Sequence, residues 1–153
     1  MYMRFTHFVA AFVIFSAGIV CGGYLFSRSQ PRALLAIANC EQRCYKSREI
    51  LGLITSVLAL RAPFLIPGVV LESDTCLIIK NPRPNARVHY VLFPKHDTRS
   101  ITTLTPEDAP YVLGCFALAR ELVVKEKIWS YRLYTNSTQL QEISYLHFHL
   151  MGP

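Results

Sequence analysis

The sequence predicts an α+β domain that is built on an antiparallel sheet of about five strands, with one long and one short helix, and that follows an N-terminal transmembrane helix. Three observations support this prediction. The segment 8–26 is apolar and carries no charge. Short runs of β-type residues follow it and are separated by turn residues. A stretch with apolar residues at helical spacing lies between the third and the fourth of these runs, and this order of elements is typical of α+β domains.

Composition limits the class of protein. The chain has 153 residues, of which 52% are hydrophobic and 17% are charged, and its mean hydropathy is +0.28. This length allows one compact domain and one extra segment, and the apolar fraction excludes intrinsic disorder as the main state. The net charge of +6 favours anionic lipid or nucleotide, but it is too small to indicate nucleic-acid binding by itself. Five cysteines, an odd number, do not indicate a disulfide scaffold.

Residues 1–26 are predicted to form a membrane anchor. The uncharged segment 8–26 has 19 residues. At 1.5 Å per residue it spans roughly 28 Å, close to the hydrocarbon core of about 30 Å. A cleaved signal peptide is the alternative, since Gly22 and Gly23 would permit cleavage, although the apolar core of such a peptide is usually only about 7–15 residues long.

Basic residues predict the orientation of this anchor. Arg4 alone precedes the span, whereas several basic residues follow it within about 20 positions. These are Arg28, Arg32, Arg43, Lys46 and Arg48. The positive-inside rule then places the C-terminal body of a single-pass protein in the cytoplasm. The absence of acidic residues before Glu41 also fits a mitochondrial presequence, so mitochondrial or exported locations are the alternatives.

The rest of the chain divides into a linker and one domain. Residues 27–48 are expected to form a juxtamembrane linker and residues 49–153 the folded domain. Within it, the stretch 49–60 predicts a short helix that ends before a proline. A longer helix begins near Thr105, the expected N-cap, with Pro106 in its first position. The predicted strands cover residues 69–71, 76–79, 88–93, 129–135 and 143–151.

The last predicted strand carries the strongest functional signal. Side chains alternate between the two faces of a strand, so Tyr145, His147 and His149 are expected to share one face. The intervening residues, Leu146, Phe148 and Leu150, are expected to face the core. A lone histidine is usually structural, but a His-x-His pair favours a site. Neutral imidazole can act as a nucleophile at phosphorus, as a proton donor or as a metal ligand.

The segment 72–152 resembles the histidine triad (HIT) nucleotide-binding proteins, over about half of the chain. Residues 141–150 look like the signature His-φ-His-φ-His-φ-φ with its preceding glutamine. Residues 74–82 look like the first sheet hairpin of that family, and residues 88–96 look like its His-x-Leu-Val-Ile-Pro-Lys strand. Asn136 precedes the signature at nearly the usual distance. The resemblance implies a HIT-like fold for the predicted α+β domain.

The resemblance also implies a mechanism. His147 corresponds to the nucleophile of the family, which attacks the α-phosphorus of a nucleotide and forms a covalent nucleotidyl-imidazole that water then hydrolyses. His149 would lie beside the phosphate and the leaving group. Asn136 and Gln141 would hold the phosphate or the leaving group, and Asn81 would bind the ribose in place of the usual aspartate. The implied activity is that of a membrane-anchored nucleotide hydrolase or transferase acting on a purine phosphoramidate or dinucleotide.

Several departures from the family pattern support an alternative function. Tyr145 replaces the first histidine, which in the family orients the nucleophile, and its hydroxyl is expected to take a related role at the substrate. His96 stands one place early in the Pro-Lys-x-His pattern, and Asp97 takes the histidine position. The glycines that usually precede the glutamine are absent. The alternative is therefore a catalytically weakened nucleotide-binding or protein-interaction module.

The partners follow from the same resemblance. No cofactor and no metal are predicted. Zinc bound through Cys40, Cys44 and two histidines is the weaker alternative, since the Cys-x-x-x-Cys spacing is loose and the first triad histidine is missing. The expected partners are a purine nucleotide, a membrane through residues 8–26, and a second copy of the chain in a homodimer, as in the small phosphoramidate-cleaving branch. Nucleic acid is not expected.

Overall fold

A computed structural model describes residues 2–37, 40 and 44–153, and its side chains are described from residue 6 onward. Arg43, one of the basic residues used to predict the orientation, lies outside the described residues. The helices are α1 (Tyr2–Phe26), α2 (Ser47–Arg61) and α3 (Ala109–Lys125), and short 3-10 turns cover Pro63–Leu65, Ile101–Thr103 and Pro106–Asp108. The strands are β1 (Val69–Glu72), β2 (Cys76–Lys80), β3 (Val88–Pro94), β4 (Arg132–Tyr134) and β5 (Phe148–Gly152).

The five strands form one antiparallel sheet in the order β1-β2-β3-β5-β4. The longest strand, β3, is central, with β2 on one side and β5 on the other. In this register Val91 of β3 lies opposite His149 of β5, and Leu92 lies opposite Phe148. The predicted α+β class, the antiparallel sheet and the leading apolar helix are confirmed.

Several predicted boundaries differ from the structure. The fourth strand, predicted for residues 129–135, covers only Arg132–Tyr134. The helix predicted to begin near Thr105 starts with a 3-10 turn that is closed by a Thr105–Asp108 capping box, and α3 itself begins at Ala109. The strand predicted for residues 143–151 begins only at Phe148. Pairing with β3 stops there because the next positions of β3 run into Pro94, which has no N–H group to donate.

The sheet has a buried cluster on each face. The larger one joins α3 to one face and contains the apolar residues Cys76, Ile78, Leu92, Cys115, Leu118, Ala119, Leu122, Ile128, Leu146, Phe148 and Leu150. The smaller one, on the other face, contains Leu77, Val91, Phe93 and Tyr145. The expected alternation in the last strand is therefore confirmed.

Four of the five cysteines are paired, which the residue count did not indicate. A disulfide joins Cys76 of β2 to Cys115 of α3 inside the larger cluster. A second disulfide joins Cys40 to Cys44 between α1 and α2. Cys21 is free. The first disulfide ties the sheet to its covering helix across a separation of 39 residues.

The first helix lies outside the packed domain. Its segment Thr6–Phe26 has a mean hydropathy of 2.1, and its most apolar window is wholly unburied. By length and composition it could cross a membrane, and a signal sequence near the N-terminus would meet the same criteria. The residues that follow contact the domain at once, since Gln30 N donates to Asp97 Oδ2 at 2.8 Å. The predicted domain boundaries stay predictions.

Candidate active site

His147 is held just before β5 with one ring nitrogen committed. Its Nδ1 lies 2.7 Å from the carbonyl oxygen of Tyr145. Because a carbonyl can only accept, Nδ1 carries the proton and Nε2 has the lone pair when the ring is neutral. The residue is 6% exposed, and its ring lies 5.0 Å from that of His149 and 5.8 Å from that of Phe93. The geometry fits a nucleophile whose tautomer and orientation are set by the main chain.

His149 on β5 lies in the middle of a polar cluster that includes side chains of β3 and β4. Its Nδ1 lies 3.1 Å from Nε2 of His89, and its Nε2 lies 3.5 Å from Nδ2 of Asn136. The ring also stacks on Tyr134 of the edge strand, with centroids 5.2 Å apart. Two of the residues that the sequence analysis selected, His149 and Asn136, are thus brought together beside His147.

His89 was not among the selected residues, although it belongs to this cluster. It is buried on β3, where its Nδ1 accepts a hydrogen bond from the Asn85 main chain at 3.2 Å. Its Nε2 lies 3.0 Å from Nδ2 of Asn81, so Asn81 reaches His149 only through His89. Alternation along β3 carries the signal, because residues 89, 91 and 93 share a face, and Val91 lies opposite His149.

Burial keeps the three histidines neutral. Desolvation lowers the pKa of His147, although the hydrogen bond to Tyr145 and the charge of Glu142 oppose it. Desolvation, followed by the neighbouring His147 and His89, lowers the pKa of His149 to about 4. Desolvation also lowers the pKa of His89. A neutral ring at pH 7 is the form that a nucleophilic histidine needs.

The Tyr145 hydroxyl lies differently from what its expected role suggests, and the Gln141 side chain is buried. The Tyr145 ring is fully buried, and its hydroxyl donates to the carbonyl oxygen of Pro94 at 2.5 Å, so it reaches no histidine ring. Burial raises the pKa of this hydroxyl. Gln141 is 2% exposed, and neither polar atom of its side chain has a hydrogen-bond partner among the described residues. Thus Tyr145 contacts His147 through its main chain. The Gln141 side-chain amide remains able to donate and to accept hydrogen bonds.

The segment that leads into His147 is fixed from several sides. Leu146 N donates to Thr98 O at 2.7 Å, and Ser144 N donates to Arg48 O at 3.0 Å. Arg32 donates to Ser144 O at 2.5 Å and forms a buried ion pair with Asp97. These contacts replace the strand ladder that Pro94 interrupts.

The residues at the family's Pro-Lys-x-His position serve packing and capping. His96 lies 2.8 Å from Asp108 at the start of α3 and stacks on Tyr111, so it stays outside the histidine cluster. Burial alone would raise the pKa of Asp108, but hydrogen bonds from Thr98, Thr105 and His96 lower it to about 2. Desolvation raises the pKa of Asp97, against the Gln30 hydrogen bond and the Arg32 charge.

The described residues hold no cluster of three or more His, Cys, Asp or Glu side chains arranged for a metal ion. The two cysteines considered as zinc ligands, Cys40 and Cys44, form a disulfide with each other. A disulfide sulfur lacks the thiolate that zinc requires.

Comparisons with solved structures support the fold. A HIT family hydrolase from Legionella pneumophila Philadelphia 1 is 28% identical, with a TM-score of 0.56 over 62% of this chain and 89% of that chain. A HIT family hydrolase from Clostridium thermocellum, at 24% identity, has a TM-score of 0.57 over 63% of this chain and 89% of its own. The second likeness concerns the fold alone.

Sequence comparisons define the family. Residues 66–153 match the family described as scavenger mRNA decapping enzyme C-term binding. A HIT-like protein of Synechocystis sp. is 32% identical over 88 residues, which cover 56% of this chain and 77% of that protein. A HIT-like protein of Helicobacter pylori strain 26695 is 33% identical over 86 residues, which cover 54% and 81%. With more than half of its length matched and the histidine row in place, the chain belongs to the histidine triad family.

Proposed function

We propose that this chain is a hydrolase or transferase that cleaves the α-phosphate bond of a purine nucleotide, either a phosphoramidate or a dinucleotide, through a nucleotidyl intermediate on His147. The observation that carries the proposal is the 2.7 Å hydrogen bond from His147 Nδ1 to Tyr145 O, which leaves the Nε2 lone pair available. Family membership supports the coarser assignment to nucleotide-binding, hydrolase-type proteins.

The reaction takes place in two displacements at phosphorus. The Nε2 lone pair of His147 forms a bond to the α-phosphorus, and the bond from phosphorus to the leaving amine or phosphate oxygen breaks with its electron pair. Water then attacks phosphorus, the P–N bond breaks, and its electron pair returns to Nε2. The products are the nucleoside monophosphate and the leaving group. Covalent catalysis of this kind divides one difficult step into two easier ones.

His149 is the proposed proton carrier. In the free protein its pKa is about 4, so the ring is neutral at pH 7. An anionic phosphate beside it favours the imidazolium form and raises that pKa. His149 then holds the proton that the leaving group takes, and it accepts a proton from the attacking water. Since its Nδ1 contacts His89, that ring positions it.

The amides are the proposed ligands of the substrate. Asn136, whose Nδ2 lies 3.5 Å from His149 Nε2, is proposed to donate to the phosphate oxygens. Gln141, whose side chain has no hydrogen-bond partner among the described residues, is proposed to hold the phosphate or the leaving group. Asn81 is proposed to contact the ribose, and its Oδ1 already accepts from Arg83 N at 2.8 Å. Tyr145 is a positioning residue, because it acts on His147 through its carbonyl.

The test is turnover of adenosine 5′-phosphoramidate by the full chain in detergent micelles, with release of AMP as the readout. We expect turnover in the native chain and in His96→Gln, because His96 contacts α3 and not the cluster. We expect none in His147→Ala. Turnover that survives in His147→Ala would overturn the nucleophile assignment.

A non-catalytic nucleotide-binding module is the second candidate. The observation that favours it is the Tyr145 hydroxyl, which is committed to Pro94 O and leaves the position of the first triad histidine without a polar group toward the cluster. A rise in Tm with AMP, together with no turnover of the phosphoramidate, would select this candidate. Turnover would reject it.

We also propose that α1 anchors the domain in a membrane and that the domain faces an oxidising compartment. The buried Cys76–Cys115 disulfide favours the exported alternative over the cytoplasmic orientation predicted from charge, because disulfides persist outside the reducing cytosol. The test is to take the chain from cells, denature it without reductant, and treat it with a thiol-alkylating reagent that lowers its gel mobility. Alkylation of Cys76 and Cys115 under these conditions would contradict the disulfide and the oxidising compartment.

The homodimer stays a prediction that light scattering can check.

A further inference from the structure

The segment that leaves α1 runs along α2 in the opposite direction. At its start, the Arg61 guanidinium lies 4.4 Å from the centre of the Tyr24 ring, and its Nη2 donates to Ser27 Oγ at 2.7 Å. Further on, the Ser29 and Ser56 hydroxyls lie 3.2 Å apart. The partners of the segment therefore move back along α2 as the chain moves away from α1.

The same path continues to the buried arginine. Arg32 Nη1 lies 3.6 Å from Glu49 Oε2 in the first turn of α2. A Cβ at Gly52 would come within 2.8 Å of the same nitrogen, so glycine provides the space for the arginine here. Along the segment from residue 24 to residue 32, the contacted residues of α2 therefore run backward, in the order 61, 56, 52 and 49. The C-terminal end of α2 lies at the level of Tyr24, inside the candidate span Thr6–Phe26.

A turn with two exposed apolar side chains follows that end of α2. The turn Pro63–Leu65 begins two residues after Arg61, and within it Phe64 is 81% exposed and Leu65 is 62% exposed. The next residue, Ile66, packs on the smaller buried cluster, which fixes the turn to the domain. Exposed Arg28 lies just beyond α1, and basic residues are common at this position beside a membrane span, next to lipid headgroups.

We propose that the turn 63–65 is a second membrane contact, in which Phe64 and Leu65 insert into the headgroup–acyl boundary of the bilayer that α1 crosses. This inference rests on the membrane anchor proposed above. Apolar side chains next to a span bind at this boundary, about 5–10 Å deep. The domain is then held by two points, the end of α1 and this turn, so its orientation over the bilayer is set.

Single tryptophans in the full chain test the proposal. The background is Trp129→Phe, which removes the native tryptophan, an exposed residue. Phe64→Trp probes the turn. Leu140→Trp is the matched control, because Leu140 is 71% exposed and lies at the other end of α2, where Arg48 donates to Gln139 O at 3.1 Å. Tyr24→Trp probes the anchor itself.

Each variant is reconstituted into phosphatidylcholine vesicles with brominated acyl chains, which quench nearby tryptophan. We expect the Phe64→Trp signal to fall by roughly half, a depth-dependent loss typical of boundary insertion, and the Leu140→Trp signal to stay unchanged. Quenching of Tyr24→Trp without quenching of Phe64→Trp would overturn this inference and leave the anchor in place. Equal quenching of Phe64→Trp and Leu140→Trp would also overturn it. An unquenched Tyr24→Trp would overturn the anchor, and the inference with it.

Discussion

The two faces of the sheet use the same strands for different purposes. On one face, Leu146, Phe148 and Leu150 pack under α3 in a cluster that also contains a disulfide. On the other face, Tyr145 packs on Phe93 and Val91, and the next two outward positions carry His147 and His149. The first face buries a continuous apolar cluster, and the second changes from apolar packing to a row of imidazoles.

The difference shows how stability and chemistry are divided between neighbouring residues. A side chain under α3 contributes to the free energy of folding, because it is removed from water against apolar atoms. A histidine on the other face is removed from water among polar rings and amides, and the desolvation lowers its pKa. Substitutions one residue apart are therefore expected to have opposite effects on activity and on stability.

The largest effect is expected for His147→Ala. Loss of the nucleophile should reduce kcat/KM by about 10³-fold or more, while the Tm falls less than in a core variant, because the buried His147 ring lies outside both apolar clusters. The measurement is phosphoramidate turnover beside a thermal melt. A Tm that falls as far as that of Phe148→Ala would contradict the different roles assigned to the two faces.

Phe148→Ala should show the reverse pattern. Phe148 is buried, and its ring contacts that of Phe116 at 5.3 Å. Its removal leaves a cavity and should lower the free energy of unfolding by about 3–5 kcal/mol, which chemical denaturation measures. Leu113→Ala is the control, because Leu113 on α3 is 65% exposed. Equal losses in both variants would contradict the packing assigned to this face.

Arg32→Met tests whether the Arg32–Asp97 ion pair stabilises the segment before His147. It leaves Asp97 buried without its partner, and breaking such a pair costs about 3 kcal/mol or more. Arg28→Met, at an exposed arginine of the same segment, should melt like the native chain. An identical Tm for the two variants would show that the Arg32–Asp97 pair does not stabilise the segment that leads into His147.

A pH profile gives the smallest effect. The nucleophile must be neutral, and its pKa and that of His149 lie below the ordinary histidine value, the latter at about 4. In the free chain both rings should therefore stay neutral as the pH falls from 8 through the ordinary range near 6.5, and they should gain their protons only at lower pH, which NMR titration of the ring signals measures. A titration of both rings centred at 6.5 would show that the rings are not desolvated.

Much of the fold could be predicted from the sequence, because the strand runs and the helical stripe are local patterns. The alternation from Tyr145 to Leu150 also placed each side chain on its correct face. His89 was missed, since its place beside His149 depends on the register of β3 against β5. The Arg32–Asp97 pair and the Cys76–Cys115 disulfide were missed for a related reason, because their partners lie 65 and 39 residues away.

Trapping the covalent intermediate tests most directly whether His147 is the nucleophile. The full chain would be mixed with adenosine 5′-phosphoramidate, denatured at neutral to alkaline pH within the first turnover, digested, and analysed by tandem mass spectrometry. The account predicts an adenylyl group on His147 that is lost on acid treatment and absent from His147→Ala. An adenylyl group on His149 or His89, or turnover with no adduct on any histidine, would contradict it.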